Sequence, residues 1–176
     1  MNNYNNIICL DIDDCIYPSA AKTDWSDGEI AIETLELNLK KLKIFMNNTD
    51  SKIFITSSWY QLFDYYPDTL SICAKDEIKK LWEIDKCHNY EKIAYKLLTF
   101  YLTDNIIGIS CGNRDIDIIE LSKNKNNKLI VFDDFDLSDV CDNLNNVHFE
   151  RVTGCLNNDI LWRSYNFLKD KKIYNE

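Results

Sequence analysis

The chain predicts an α/β fold in three layers, with helices on both faces of a five-stranded parallel sheet. Two observations carry the prediction: five short apolar runs of strand length, and stretches of helical apolar spacing lying between them. Regular alternation of the two demands crossover connections and hence parallel strands buried on both faces.

The first run, Asn6 to Leu10 (NIICL), stops abruptly at Asp11, as a buried strand ending at a polar site does. The other four are Lys52 to Thr56, Asn105 to Ser110, Lys128 to Phe132 and Asn146 to Glu150. After Gly28, apolar residues recur at Leu35, Leu39, Leu42 and Phe45/Met46, a period near 3.6, which predicts the first helix. A second stripe runs through Tyr90, Ile93/Ala94, Leu97 and Tyr101 behind an Asn89 cap, and a shorter helix covers Asp115 to Ser122 with Ile116, Ile119 and Lys123 on successive turns. Leu161, Tyr165 and Leu168 form the last stripe, capped by Asn157 or Asn158. Residues 60–103 exceed what one crossover needs and are read as a helical insertion or small cap within a single domain spanning 1–176.

With 45% apolar and 28% charged residues the chain has an ordinary globular composition. It has no apolar run near the ~20 residues that span a bilayer, and MNNYNN lacks the pattern of a secretory signal, so no membrane partner and a cytoplasmic location are expected. Its seven scattered cysteines, none in a C-x-x-C pair, speak against a disulfide framework or a zinc knuckle. A net charge of -9 disfavours broad nucleic-acid binding.

In open α/β sheets ligands bind beyond the carboxyl ends of the strands. The first run delivers Asp11, Asp13 and Asp14 there, the second Thr56, Ser57 and Ser58, and the fourth Asp133, Asp134 and Asp136. Two acidic clusters on neighbouring strand ends repel one another unless a cation or protons compensate. All-oxygen donors select a hard cation, and a site with room for phosphate favours Mg²⁺ over a Ca²⁺ cage. The structural alternative is that these aspartates are turn residues and helix caps.

ICLDIDDCIYP resembles the first motif of the haloacid dehalogenase (HAD) superfamily, with ITSS in place of the second motif and VFDD in place of the fourth. Order and spacing match that family's five-stranded, HAD-like (Rossmannoid) core over nearly the whole chain. TSSW (Thr56 to Trp59), Arg114 and the turn at Gly154 to Leu156 are similar to the compact branch found in nucleic-acid (RNA) repair proteins. The departures are Asp14 where glycine is usual and Cys15 where threonine or valine is usual, and both bear on loop geometry.

The resemblance implies a magnesium-dependent phosphatase. Asp11 would attack phosphorus to form an aspartyl phosphate, and Asp13 would act as acid and then base. Asp133 would hold Mg²⁺ with Asp11 and the backbone carbonyl of Asp13, with Asp134 as a further ligand or support. Thr56 or Ser57 would donate to a phosphoryl oxygen, with Ser58 beside them, and Arg114 or Lys123 would supply the balancing cation. The implied substrate is a small phosphorylated molecule or a nucleic-acid 3′-phosphate end.

Other features point less sharply to chemistry. His88 and His148 are read as structural or exposed, Trp59 to Tyr66 as helix packing ahead of base stacking, and the lysines at 123, 125 and 128 as a solvated loop. A signalling receiver domain is excluded, because its phosphorylated aspartate ends the third strand and here that strand ends NIIGIS. A phosphate-binding or interaction domain without turnover and a two-metal nuclease remain as alternatives.

Overall fold

A computed structural model describes residues 5–18, 25–57, 90–110 and 113–169. Five parallel strands, β1 (Asn6–Leu10), β2 (Ser51–Ile55), β3 (Ile106–Ile109), β4 (Lys128–Asp133) and β5 (Val147–Arg151), form one sheet in the order β3-β2-β1-β4-β5. β1 is central: Leu10 lies opposite Ile55 on one side and Phe132 on the other. The chain builds outward from β1 through β2 to β3, then returns to the far side of β1 for β4 and β5. Strand order therefore reverses between β1 and β4, and a crevice opens at their carboxyl ends.

Pleating sends alternate side chains to opposite faces. Ile8, Leu10, Ile53, Ile55, Ile130 and Phe132 pack against α1 (Trp25–Thr49), α2 (Tyr90–Leu102) and α5 (Asn158–Lys169). On the other face Ile7, Cys9, Leu129 and Val131 meet Ile118 of α3 (Arg114–Ser122) and Cys141 of α4 (Ser138–Cys141). Helices thus cover both faces, as expected. No described helix is long and apolar enough to cross a membrane.

Several details differ from the sequence expectation. α1 begins at Trp25, before Gly28, because a glycine near a helix end costs too little to forbid the turn. β2 starts and stops one residue earlier than expected, and β4 continues one residue further to include Asp133. On α3 Ile116 and Ile119 are exposed whereas Ile118 and Ser122 are buried, so the expected stripe faces solvent. A short helix with isoleucines at 116, 118 and 119 offers two stripes of equal quality, and only the neighbouring sheet selects one. α4 is unforeseen, since four residues are too few to show a period.

The final part of the 60–103 segment is α2, whose Ile93, Ala94, Leu97, Leu98 and Leu102 are buried in the core, so this stretch is a crossover helix and not a cap. The remainder of that expectation, residues 60–89, lies outside the described residues, as do Ser58, the Trp59 to Tyr66 segment, His88 and Asn89. The cysteines within the described regions, Cys9, Cys15, Cys141 and Cys155, are free thiols.

Candidate functional site

Asp11 follows β1 directly and takes its place by donating its backbone N–H to the Phe132 carbonyl at 2.9 Å. Asp133 closes β4, and its carbonyl accepts from Val152 at 2.8 Å. Both carboxylates are buried, at 3% and 0% exposure. Asp134 joins them, and one carboxylate oxygen from each of Asp11, Asp133 and Asp134 lies within 4.8 Å of the others.

Arg114 is the cation at this cluster. Its Nη1 donates to both oxygens of Asp133, at 2.6 and 2.7 Å, and lies 3.8 Å from Asp11 Oδ2. It opens α3, where the Asn113 side chain accepts from the Ile116 N–H and sets the helix start. Lys123 closes the same helix and pairs with the exposed Glu120. Nine positions, each with a rise of about 1.5 Å, separate the two cations along the helix. The structure therefore brings Arg114, and not Lys123, to the carboxylates.

The site is electrostatically unfinished. Burial, and then the negative Asp133 alongside, push the Asp11 carboxyl up to about 7 against the pull of the Ser57 hydroxyl, Arg114 and the Ile12 N–H. Burial raises Asp133 too, opposed by the Phe135 N–H at 2.9 Å and by Arg114. Burial also disfavours the charge of Arg114, but Asp133 and then Asp11 outweigh it and hold the guanidinium firmly protonated.

Thr56 and Ser57, alternatives in the sequence, have different surroundings. The Ser57 hydroxyl bonds to Asp11. Thr56 is level with Asp11 across the sheet, donating its N–H to the Leu10 carbonyl at 2.9 Å, while its hydroxyl is buried with no hydrogen-bond partner among the described residues. An unsatisfied buried hydroxyl costs ~1–3 kcal/mol, a cost that is relieved where a ligand oxygen completes the bond.

Asp13 lies in the loop after β1, which turns back on itself: the Asp14 N–H donates to Tyr17 O at 2.7 Å, and Asp13 bridges to Tyr17. Its carboxylate is not among the three that cluster. Asp14 has a φ of 56°, the left-handed region that glycine favours and aspartate tolerates better than most residues. The departure from the motif at this position thus keeps the backbone conformation that a glycine would allow.

This loop is held from two sides that its own sequence does not reveal. Asn38 of α1, buried and sharing a turn with core leucines, donates to Ile16 O at 3.0 Å. The Cys155 and Leu156 N–H groups donate to Asp14 O and Cys15 O at 2.8 and 2.7 Å. A polar asparagine inside an apolar stripe was the only available signal for Asn38.

The remaining candidates are structural. His148 Nε2 is 2.8 Å from Glu150 Oε1, and its ring stacks on Phe167 with centroids 5.1 Å apart. The Lys128 ammonium donates to the Phe167 and Leu168 carbonyls at 3.2 and 3.0 Å, at the carboxyl end of α5 where a cation suits the helix dipole.

The donor set fits a hard divalent cation: three carboxylates converge, no thiol or imidazole joins them among the described residues, and burial leaves their charge incompletely balanced by Arg114. No protein-family model, curated protein or solved structure matches the chain. What the fold and site define on their own is an α/β protein with an acidic, arginine-bridged centre at its topological switch point.

Proposed function

We propose that this chain is a Mg²⁺-dependent phosphomonoester hydrolase of the haloacid dehalogenase type, working through an aspartyl phosphate on Asp11. The observation that carries the reading is the convergence of Asp11, Asp133 and Asp134 within 4.8 Å at the ends of β1 and β4. The unpartnered Thr56 hydroxyl beside them supports it.

In this reading Asp11, Asp133 and Asp134 hold the cation. Mg²⁺, when bound, supplies positive charge that keeps Asp11 ionised and offsets the phosphoryl oxygens. An Asp11 oxygen forms a bond to phosphorus as the bond to the leaving oxygen breaks, and Asp13 gives that oxygen its proton. Asp13 then takes a proton from the water that attacks the acyl phosphate, releasing phosphate and restoring Asp11. Thr56 and Arg114 donate to phosphoryl oxygens throughout, while Ser57 orients the nucleophile. Suitable substrates are small phosphorylated molecules or a nucleic-acid 3′-phosphate end.

A second reading, a phosphate-binding or interaction domain without turnover, draws on the double hydrogen bond from Arg114 to Asp133, which already balances one buried charge. Hydrolysis of an aryl phosphate separates the two. Turnover that requires Mg²⁺, vanishes in Asp11→Asn and leaves an acid-stable phosphoprotein in the wild type is the expected result. Binding of Mg²⁺ with no turnover of aryl phosphates, nucleotides, sugar phosphates or 3′-phosphorylated oligonucleotides would select the silent domain. Two bound ions about 4 Å apart without a phosphoprotein would instead indicate a nuclease.

A further inference from the structure

α1 buries Leu35, Leu39, Leu42 and Met46 against the sheet, yet its opposite face is not polar throughout. Ile30, Leu37 and Ile44 are 60%, 53% and 63% exposed. They are seven residues apart, so successive members drift only ~20° around a straight helix and fall in one line. Scattered exposed apolar residues need no explanation, but a straight row of three on one helix does.

The charges along that row are ordered. Glu33 and Glu36 precede Leu37, while Lys40, Lys41 and Lys43 follow it. Glu33 and Lys40 are exposed, and Lys40 reaches back to Glu36 at 2.9 Å. One half of the row is therefore acidic and the other basic, with an apolar residue at the centre and at each end.

We propose that this face pairs two copies of the chain, α1 against α1 and antiparallel, about a two-fold axis at Leu37. Leu37 then meets its own copy, Ile30 lies level with Ile44 of the second copy, and Glu33 lies level with Lys41 of the second copy. A self-complementary patch of this kind is what a two-fold dimer requires. Parallel pairing would set acid beside acid and base beside base, at a cost to association. The apolar strip continues past Ile44 into an open groove of about 730 Å³ between α1 and α5, lined by Phe45, Leu161 and Trp162 among others. Trp162 is 62% exposed, and aromatic anchors of this kind carry much of the energy at interfaces. One helix pair with its groove gives a contact at the small end of stable interfaces, so the dissociation constant is expected to be on the order of micromolar.

Equilibrium sedimentation of the full chain over a concentration series tests this. The wild type is expected to dimerise with rising concentration, and Leu37→Glu to weaken dimerisation on the order of a hundredfold, because two carboxylates would face each other at the axis. Glu33→Lys and Lys41→Glu are each expected to weaken self-association about tenfold. Mixed together they should form a heterodimer, since each then supplies the charge the other lacks. The affected residues are not in the core, and circular dichroism should report unchanged folding. If Leu37→Glu nevertheless fails to fold, the charge-reversed pair decides alone. A wild type that stays monomeric at every soluble concentration, a dimer indifferent to Leu37→Glu, or charge variants that do not pair with each other would overturn the proposal.

Discussion

Arg114 Nη1 grips both carboxylate oxygens of Asp133, at 2.6 and 2.7 Å, and stands 3.8 Å from Asp11. One guanidinium nitrogen thus bridges the two strands between which strand order reverses. Removing it leaves Asp133, fully buried, without its cation. Loss of one partner from a buried pair costs ~3–5 kcal/mol, and the partial exposure of Arg114, 31%, lowers that toward ~1–3 kcal/mol through solvent screening. Arg114→Met is expected to lower the melting temperature in chelator. Mg²⁺ should restore more stability to this variant than it adds to the wild type, as thermal melts with and without the ion would show.

The raised carboxyl of Asp11 fixes the sign of a pH effect. Its ordinary value of 3.8 applies to the unfolded chain, whereas burial and Asp133 carry the folded value to about 7. Between these values the native state holds a proton that the unfolded state has lost, so stability falls as pH rises from about 4 through about 7. Asp133, raised by burial, acts in the same direction. Glu150 acts oppositely: burial raises its carboxyl, but Arg163 and His148 outweigh this and depress it, and that contribution is lost only as pH falls below its ordinary 4.5. Melts in chelator from pH 5 to pH 8 should therefore show a decline of several °C, corresponding to at most a few kcal/mol. A flat or rising profile would contradict the electrostatics of the cluster.

Mg²⁺ competes with that proton. Affinity is expected to rise with pH up to about 7 and then level, and binding below pH 7 should release up to about one proton. Calorimetry in two buffers of different ionisation enthalpy counts the protons directly. Asp11→Asn should reduce the release.

Thr56→Val separates fold from function. The hydroxyl is buried and has no partner among the described residues, so replacing it with a methyl should leave the melting temperature unchanged or raise it slightly. Turnover should fall by roughly 10- to 100-fold, the value of one lost hydrogen bond to a charged oxygen. Equal loss of stability and activity would assign Thr56 a packing role.

Asp14 tests the loop. With φ at 56°, Asp14→Gly should be neutral or stabilising, while Asp14→Val should cost ~1–2 kcal/mol from left-handed strain. Chemical denaturation of the two variants measures the difference.

The acidic centre was legible because Asp11 and Asp133 interrupt apolar runs abruptly, and that interruption is a local property. The roles of Thr56 and Ser57 were not. Both are buried at the end of β2, and their difference lies in whether a neighbouring strand offers a hydrogen-bond partner. The choice between Arg114 and Lys123 depended on a helix boundary, which the Asn113 cap sets at the arginine. Asn38 stood out only as a polar residue in an apolar stripe, and its role was hidden because its partner Ile16 belongs to another segment of the chain.

Short-range periodicity in the amino-acid order was enough to dictate five strands, the longer helices between them and the carboxylates that stop two of the strands, though not the four-residue α4. Folding in three dimensions chose which carboxylates meet. The Asp134 carboxylate joins Asp11 and Asp133 while that of Asp13 stays outside the cluster, and α2 is buried in the core. The reason is that side-chain spacing along one element is set by its own backbone geometry, whereas neighbour identity depends on how β1 is inserted between β2 and β4, a pairing decided by burial across the whole sheet.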